Sequence, residues 1–353
     1  MRRARRLLFG PQTTSLELLH TPIHRLGLRL EGSVLDPLVH NLHGELAANR
    51  IHLRPVFYLS DEYGTLEGTS NVGLGFWDAD ERLRQTRLAL TGESHSESDL
   101  KWLVRHEAGH AFCYSHRLYR LPRFRNVFNV RGHFFRTYPA HDRYRVNPWS
   151  RDFVNPDGAH YAQKHPDDDF AETFATWLDP RSSWKRVYAY KPGALRKLTY
   201  VGELVAEYGR RRPAIKNNPE NLHLPVESLR TTVGRFFGVK AAELRRRAPG
   251  YIDPDLKKVF DGRPRRSSAA GLVAAPALLR QERRKLRRSV LEWVDIAPSV
   301  VDVLLDKVSS RSRALDLVVR RSATTETVAS LTSFLTALAG RYRQHRVFFG
   351  ETA

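Results

Sequence analysis

Apolar residues recur at helical spacing in several stretches of the chain, and strand-like runs separate some of them. Leu35, Leu38, Val39, Leu42 and Leu46 fall three and four apart. That puts one apolar stripe on a helix running to about Ala48, with Ser33 as cap candidate and Pro37 in the first turn. Residues 51–59 follow as a β-like run. Pro55 inside it cannot donate a ladder hydrogen bond, which predicts two short strands or an edge strand. Residues 64–75 read as turns, with Gly68, Gly73 and Gly75 lacking the order of a nucleotide-binding loop. Phe76-Trp77 and residues 85–90 are further strand candidates. Residues 91–94 form the turn before a helix over 101–112, capped by Ser98 or Asp99. Residues 121–160, rich in Arg, Pro, Asn and aromatic side chains, predict a long ordered loop.

The stretch 166–178 starts with a proline and three acids, which are helix-start signals. Phe170, Phe174 and Trp177 share one face of it, and Asp168, Glu172 and Ala175 the opposite one. Beyond Pro180 the pattern is mostly helical, with Pro192, Pro213, Pro219 and Pro225 at the joints and residues 261–268 as the best linker. Helices are expected over 278–294, 300–319 and 328–342. The expectation is an α+β chain with two regions, residues 1–205 and a basic, mostly helical 206–353.

Composition changes this picture little. The chain is 41% hydrophobic with no run long enough to cross a bilayer. The basic start at residues 2–6 leads into an apolar segment too short for a signal-peptide core. Cys113 is the single cysteine. No intramolecular disulfide is possible, and a reducing cytoplasm is the expected compartment. Charge says more. The net formal charge is +20, and 29 basic against 16 acidic residues lie after position 200. Anionic partners such as nucleic acid, an anionic membrane surface or an acidic substrate suit that balance. No nucleic-acid-binding motif accompanies it, and solvated arginine-rich faces account for it more simply.

The candidate chemistry lies at His106-Glu107-Ala108-Gly109-His110. On a helix, residues four apart share a face, so His106 and His110 point the same way and can hold one Zn²⁺. Glu107 stands where a general base is wanted. A catalytic zinc takes a third protein ligand. His116 sits at the spacing of a metzincin ligand. However, the glycine that precedes such a ligand is Cys113 here, and the only methionine, Met1, leaves no methionine turn. Cys113 itself shares a face with His106 and is expected to be a small core residue. The second route to a third ligand is a carboxylate from a later helix, and Asp168 and Glu172 offer it.

With Asp168-Asp169-Phe170-Ala171-Glu172-Thr173-Phe174 some sixty residues after H-E-x-x-H, the chain resembles the gluzincins. It is most similar to bacterial zinc-binding metallopeptidases with a D/E-D-F-A-E-T-F-A-x-W-L signature. The likeness continues at His160-Tyr161-Ala162-Gln163, Trp184, Leu198-Thr199-Tyr200-Val201 and Pro254-Asp255-Leu256. The resemblance implies a zincin-like domain with a small antiparallel sheet. Its edge strand, 85–90 by position, would pair with an extended substrate. It implies Asp168 as third ligand and Glu172 as the acid that orients a histidine. Asp168 is one methylene shorter than the usual glutamate, so either the helix sits closer or Glu172 is the ligand. It also implies a Zn²⁺-dependent hydrolase of peptide or related amide bonds, with Glu107 as base and Tyr161 as oxyanion donor. His160 and His165 are rivals for that last role. The alternative is a zinc-stabilised or degenerate protein whose basic region binds nucleic acid or an acidic protein.

Overall fold

The computed structural model describes residues 11–140, 143–215, 218–240, 242–243, 250–262 and 271–345. The basic start at residues 2–6 and most of the expected linker, 263–268, lie outside them. The protein is α+β and mostly helical. The sequence pattern predicts a division at about residue 205. Contacts instead group Gly27–Leu229 as one compact unit, and the described residues up to Leu26 with those from Arg230 onward as another.

Helix α1 (Pro11–His20) belongs to the second unit. The first unit begins with α2 (Asp36–Ala48), which buries Leu38, Val39, Leu42 and Leu46, the stripe expected from spacing. Ser33 Oγ accepts from the Leu35 N–H at 3.2 Å just ahead of it. Strands β1 (Val56–Ser60), β2 (Gly64–Thr65) and β3 (Asn71–Gly75) then form a sheet in the order β1-β3-β2. The sheet is mixed, not antiparallel. β2 and β3 are an antiparallel hairpin through the turn at Leu66–Thr69, and that reversal lays β3 parallel to β1. Gly73 and Gly75 are strand residues, not turn residues. A Cβ at Gly75 would meet the Trp77 ring at 2.5 Å and the Tyr63 ring at 2.8 Å, so only glycine lets the strand lie against them.

The two strand candidates after β3 are helical. Phe76–Asp78 is a 3₁₀ turn, and residues 85–90 lie in α3 (Glu81–Thr91). Only Leu83 of α3 is buried, so a surface helix without a wide apolar stripe gave an alternation that mimics a strand. Its ends carry the better signal. Asp80 accepts from the Arg82 N–H as N-cap, and Gly92 closes the helix at φ 75°.

Helix α4 (Glu97–Ser115) starts at Ser96, in a reciprocal capping box with Asp99, one turn earlier than expected. The loop beyond it is more regular than foreseen. It holds α5 (Pro122–Val127) and buries Phe124, Phe128 and Phe134. Helix α6 (Pro166–Leu178) lays Phe170 against Phe124 and Phe128 and stacks Phe174 on Phe112 of α4, with ring centroids 5.2–5.5 Å apart. The short α7 (Trp184–Val187) leads to α8 (Pro192–Tyr208), which packs on the far side of α6. There a buried ion pair, Lys197 Nζ to Asp169 Oδ2 at 2.6 Å, joins them. Helix α6 thus meets α4 through Phe174 as well as through its carboxylates.

Two rejected metal ligands have structural roles. Cys113 is fully buried, and burial pushes its thiol well up, as suits a core residue. His116 caps the C-terminus of α4, its ring packed on Phe112 and Tyr208 and its Nε2 buried without a hydrogen-bond partner. Burial, helped by Arg211, lowers its pKa to about 4. Below the unfolded value near 6.5 the unfolded chain takes up a proton that folded His116 refuses, so this contribution to stability is lost as pH falls from 6.5 toward 4. His116→Phe is therefore expected to gain on the parent by about 1 kcal/mol between pH 7 and pH 5, allowing for solvent screening. Parallel stability curves from urea melts over that range would contradict it.

The second unit continues with α9 (Val233–Phe236) and α10 (Asp253–Val259). Its three long helices are α11 (Ala275–Trp293), α12 (Pro298–Ala314) and α13 (Thr324–His345). Strands β4 (Asp261–Gly262), β5 (Leu272–Ala274) and β6 (Leu317–Arg320) form a second, antiparallel sheet in the order β4-β6-β5. The helix expected through Val319 ends at Ala314. Asp316 turns at φ 48°, and the apolar run Leu317-Val318-Val319 becomes the buried central strand.

Candidate metal centre

Helix α4 presents His106, Glu107 and His110 from its buried face, each 5–6% exposed. Four-residue spacing brings the two imidazole Nε2 atoms within 3.0 Å. Both Nδ1 atoms point away from each other, onto carboxylates. His106 Nδ1 lies 2.7 Å from Glu172 Oε1, and His110 Nδ1 lies 2.8 Å from Asp167 Oδ1. An Nδ1–H donated to a carboxylate fixes the tautomer that leaves the Nε2 lone pair free. Asp168 Oδ1 sits 3.9 Å from His106 Nε2 and 3.7 Å from His110 Nε2. The three atoms lie within 4.8 Å of one another.

This donor set fits a metal ion. Tetrahedral zinc with ligand bonds of 2.0–2.2 Å holds its ligand atoms about 3.4 Å apart, and the separations here bracket that value. Two imidazoles and one carboxylate are a zinc donor set that leaves a fourth position open. Asp168 Oδ2 is buried without a hydrogen-bond partner, a state that costs free energy unless a cation is close. The surroundings are also strongly anionic. Glu107, Asp167, Asp168 and Glu172 are all buried around two imidazoles. Burial alone would push His110 down, but the Asp167 carboxylate, with Glu107 and Asp168, outweighs it and holds the pKa at about 9. Asp168 is raised to about 6 by burial, against the opposing pull of the two histidines.

The short Asp168 reaches because α4 and α6 approach closely at Gly109. A Cβ added at Gly109 would stand 3.0 Å from Ala171 Cα, 3.2 Å from Ala171 O and 3.2 Å from Phe174 Cβ. Glycine at position 109 removes that obstacle, and the helix separation supplies the methylene that Asp lacks. Of the two carboxylates left open by sequence, Asp168 faces the Nε2 pair. Glu172 stands behind His106 and also accepts from Trp102 Nε1 at 3.1 Å.

Glu107 is held from the first sheet. Thr65 Oγ1 in β2 lies 2.9 Å from Glu107 Oε2 and 3.0 Å from the Glu107 carbonyl oxygen. The edge strand beside the histidine helix is therefore β2, in place of residues 85–90. Tyr161 stands in a 3₁₀ turn with its ring centroid 5.7 Å from that of His106. Its hydroxyl accepts from Lys164 Nζ at 2.9 Å, which leaves the phenolic proton for another acceptor. Burial foremost, with the nearby Asp168, pushes its pKa up to about 12. Its two rivals are engaged in local structure. His160 turns at φ 59° and contacts Asn155 and Gln163 through its ring nitrogens. His165 is the N-cap of α6, its Nδ1 accepting from the Asp167 N–H and its Nε2 beside Thr137 Oγ1.

Five further residues complete the surroundings: Thr65, Trp102, Tyr114, Tyr138 and Asp167. The Tyr114 and Tyr138 hydroxyls both donate to Asp167 Oδ2, Tyr138 at 2.7 Å. Trp102 and Tyr114 extend the four-residue spacing of His106 and His110 by one step in each direction, a signal present in the sequence. Thr65 and Tyr138 come from distant segments and carry none. The chain matches no family model, no curated protein and no solved structure.

Proposed function

We propose that the protein is a zinc-dependent hydrolase that cleaves peptide or related amide bonds. The observation that carries this reading is the convergence of His106 Nε2, His110 Nε2 and Asp168 Oδ1 beside Glu107. A purely structural zinc site has no use for a buried, positioned carboxylate next to an open coordination position. The likeness to the gluzincin motifs points the same way. Zn²⁺ held there would act as a Lewis acid on the scissile carbonyl and the attacking water.

The chain's own groups supply the remaining work. Glu107 takes a proton as the water oxygen bonds to the carbonyl carbon, then returns it to the amide nitrogen as the C–N bond breaks. The Thr65 hydroxyl keeps the Glu107 carboxylate in one orientation. The Tyr161 hydroxyl, held by Lys164, is the donor for the oxygen that gains charge. Trp102, Asp167 and Glu172 hold the two imidazoles in ligand orientation.

Metal removal tests the reading. Protein carrying one Zn²⁺ per chain is expected to cleave members of a quenched-fluorescent peptide library, to lose that activity with a chelator and to regain it on adding zinc. Stoichiometric zinc with no cleavage of any peptide or simple amide would overturn the hydrolase reading and leave a structural metal site.

A further inference from the structure

Helix α11 buries Leu278, Leu279, Leu286 and Val290 against its own unit. On its flank Arg283 reaches Asp306 at 2.5 Å and Arg287 reaches Asp302 at 3.2 Å, both on α12. The outward face is different. Arg280, Arg284, Lys285 and Arg288 are all exposed, and none forms an ion pair among the described residues. Arg280, Arg284 and Arg288 stand four apart, so they line one ridge about 12 Å long at 1.5 Å per residue. Like charges at that spacing repel and weaken the helix, so the ridge works against the element that carries it. Trp293, 79% exposed, closes the same helix but stands about 140° round its axis from Arg288, off the ridge.

We infer that this outward face of α11 is a docking surface for the phosphate backbone of a nucleic acid. The cations complement a polyanion, and arginine in place of lysine at the three ridge positions suits the paired oxygens of phosphates. An anionic membrane fits less well. A helix lying in a bilayer interface inserts an apolar face, and that face of α11 is already buried.

The test is fluorescence anisotropy of a labelled twenty-residue oligothymidylate against the full chain, over a salt series from 50 mM. Binding is expected at 50 mM salt, and R280Q/R284Q/R288Q is expected to weaken it at least tenfold. The same variant should flatten the slope of log K against log salt by about two, since each lost phosphate contact removes about 0.7 for single strands. Trp293→Ala, off the ridge, should leave both the affinity and the slope unchanged. R136Q/R143Q/R145Q removes the same charge from the other unit and should leave the slope as it is. Should the α11 variant melt early, R284Q alone is read for its smaller share of the slope. Absent binding, an equal effect of the two triple variants, or displacement of the oligonucleotide by polyglutamate at matched charge would each overturn the inference. The last would assign the face to an acidic protein.

Discussion

Glu107→Gln is expected to lower kcat for peptide hydrolysis by about 10²- to 10⁴-fold while zinc stays at one per chain. The amide keeps the shape and the Thr65 contact of the carboxylate but cannot take the proton from water. The metal atoms are left in place, because Glu107 is not among the three that converge: His106 Nε2, His110 Nε2 and Asp168 Oδ1. Activity and metal content therefore separate in this variant, and zinc analysis beside steady-state kinetics reads both. Loss of zinc together with activity would make Glu107 a ligand or a structural prop. Full activity would remove it from the chemistry.

Gly109→Val is expected to act through helix spacing. The first added carbon already meets Ala171 backbone at 3.0 Å, and backbone cannot swing aside as a side chain can. Relief requires α4 and α6 to part, which also unstacks Phe112 from Phe174. Overpacking of this kind costs about 1–3 kcal/mol. The site feels the same parting, since Asp168 has no spare methylene with which to follow. Zinc affinity is expected to fall by at least tenfold, and pairing Gly109→Val with Asp168→Glu should recover part of it. Urea melts and zinc titration of the two variants check this. A Gly109→Val protein with parental zinc affinity would refute the role given to helix spacing.

The site was more legible in the sequence than the sheet beside it. His106, Glu107 and His110 depend only on helical spacing, and Asp168 and Glu172 on the wheel of a second helix with an aromatic back. Trp102, His106, His110 and Tyr114 form one four-residue series, and its two ends carry no metal-ligand signal of their own. The choice between Asp168 and Glu172 depended on a distance between two helices. Only Gly109 hinted at it, since a glycine inside a buried helix often marks close backbone approach. Thr65 and Tyr138 reach the site through tertiary folding alone. Residues 85–90 read as a strand because a helix with one buried residue has no helical stripe to show. Leu317-Val318-Val319 read as a continuation of the helix before them because the break is a single φ of 48° at Asp316.

The central claim is that His106, His110 and Asp168 together hold zinc, and the most direct measurement is equilibrium titration of Zn²⁺ into metal-free protein alongside Asp168→Ala. The parent is expected to bind one equivalent tightly, and Asp168→Ala to weaken that binding by at least 10²-fold with its fold retained by circular dichroism. A parent that binds no zinc, or an Asp168→Ala protein that binds it as tightly as the parent, would contradict the site described here.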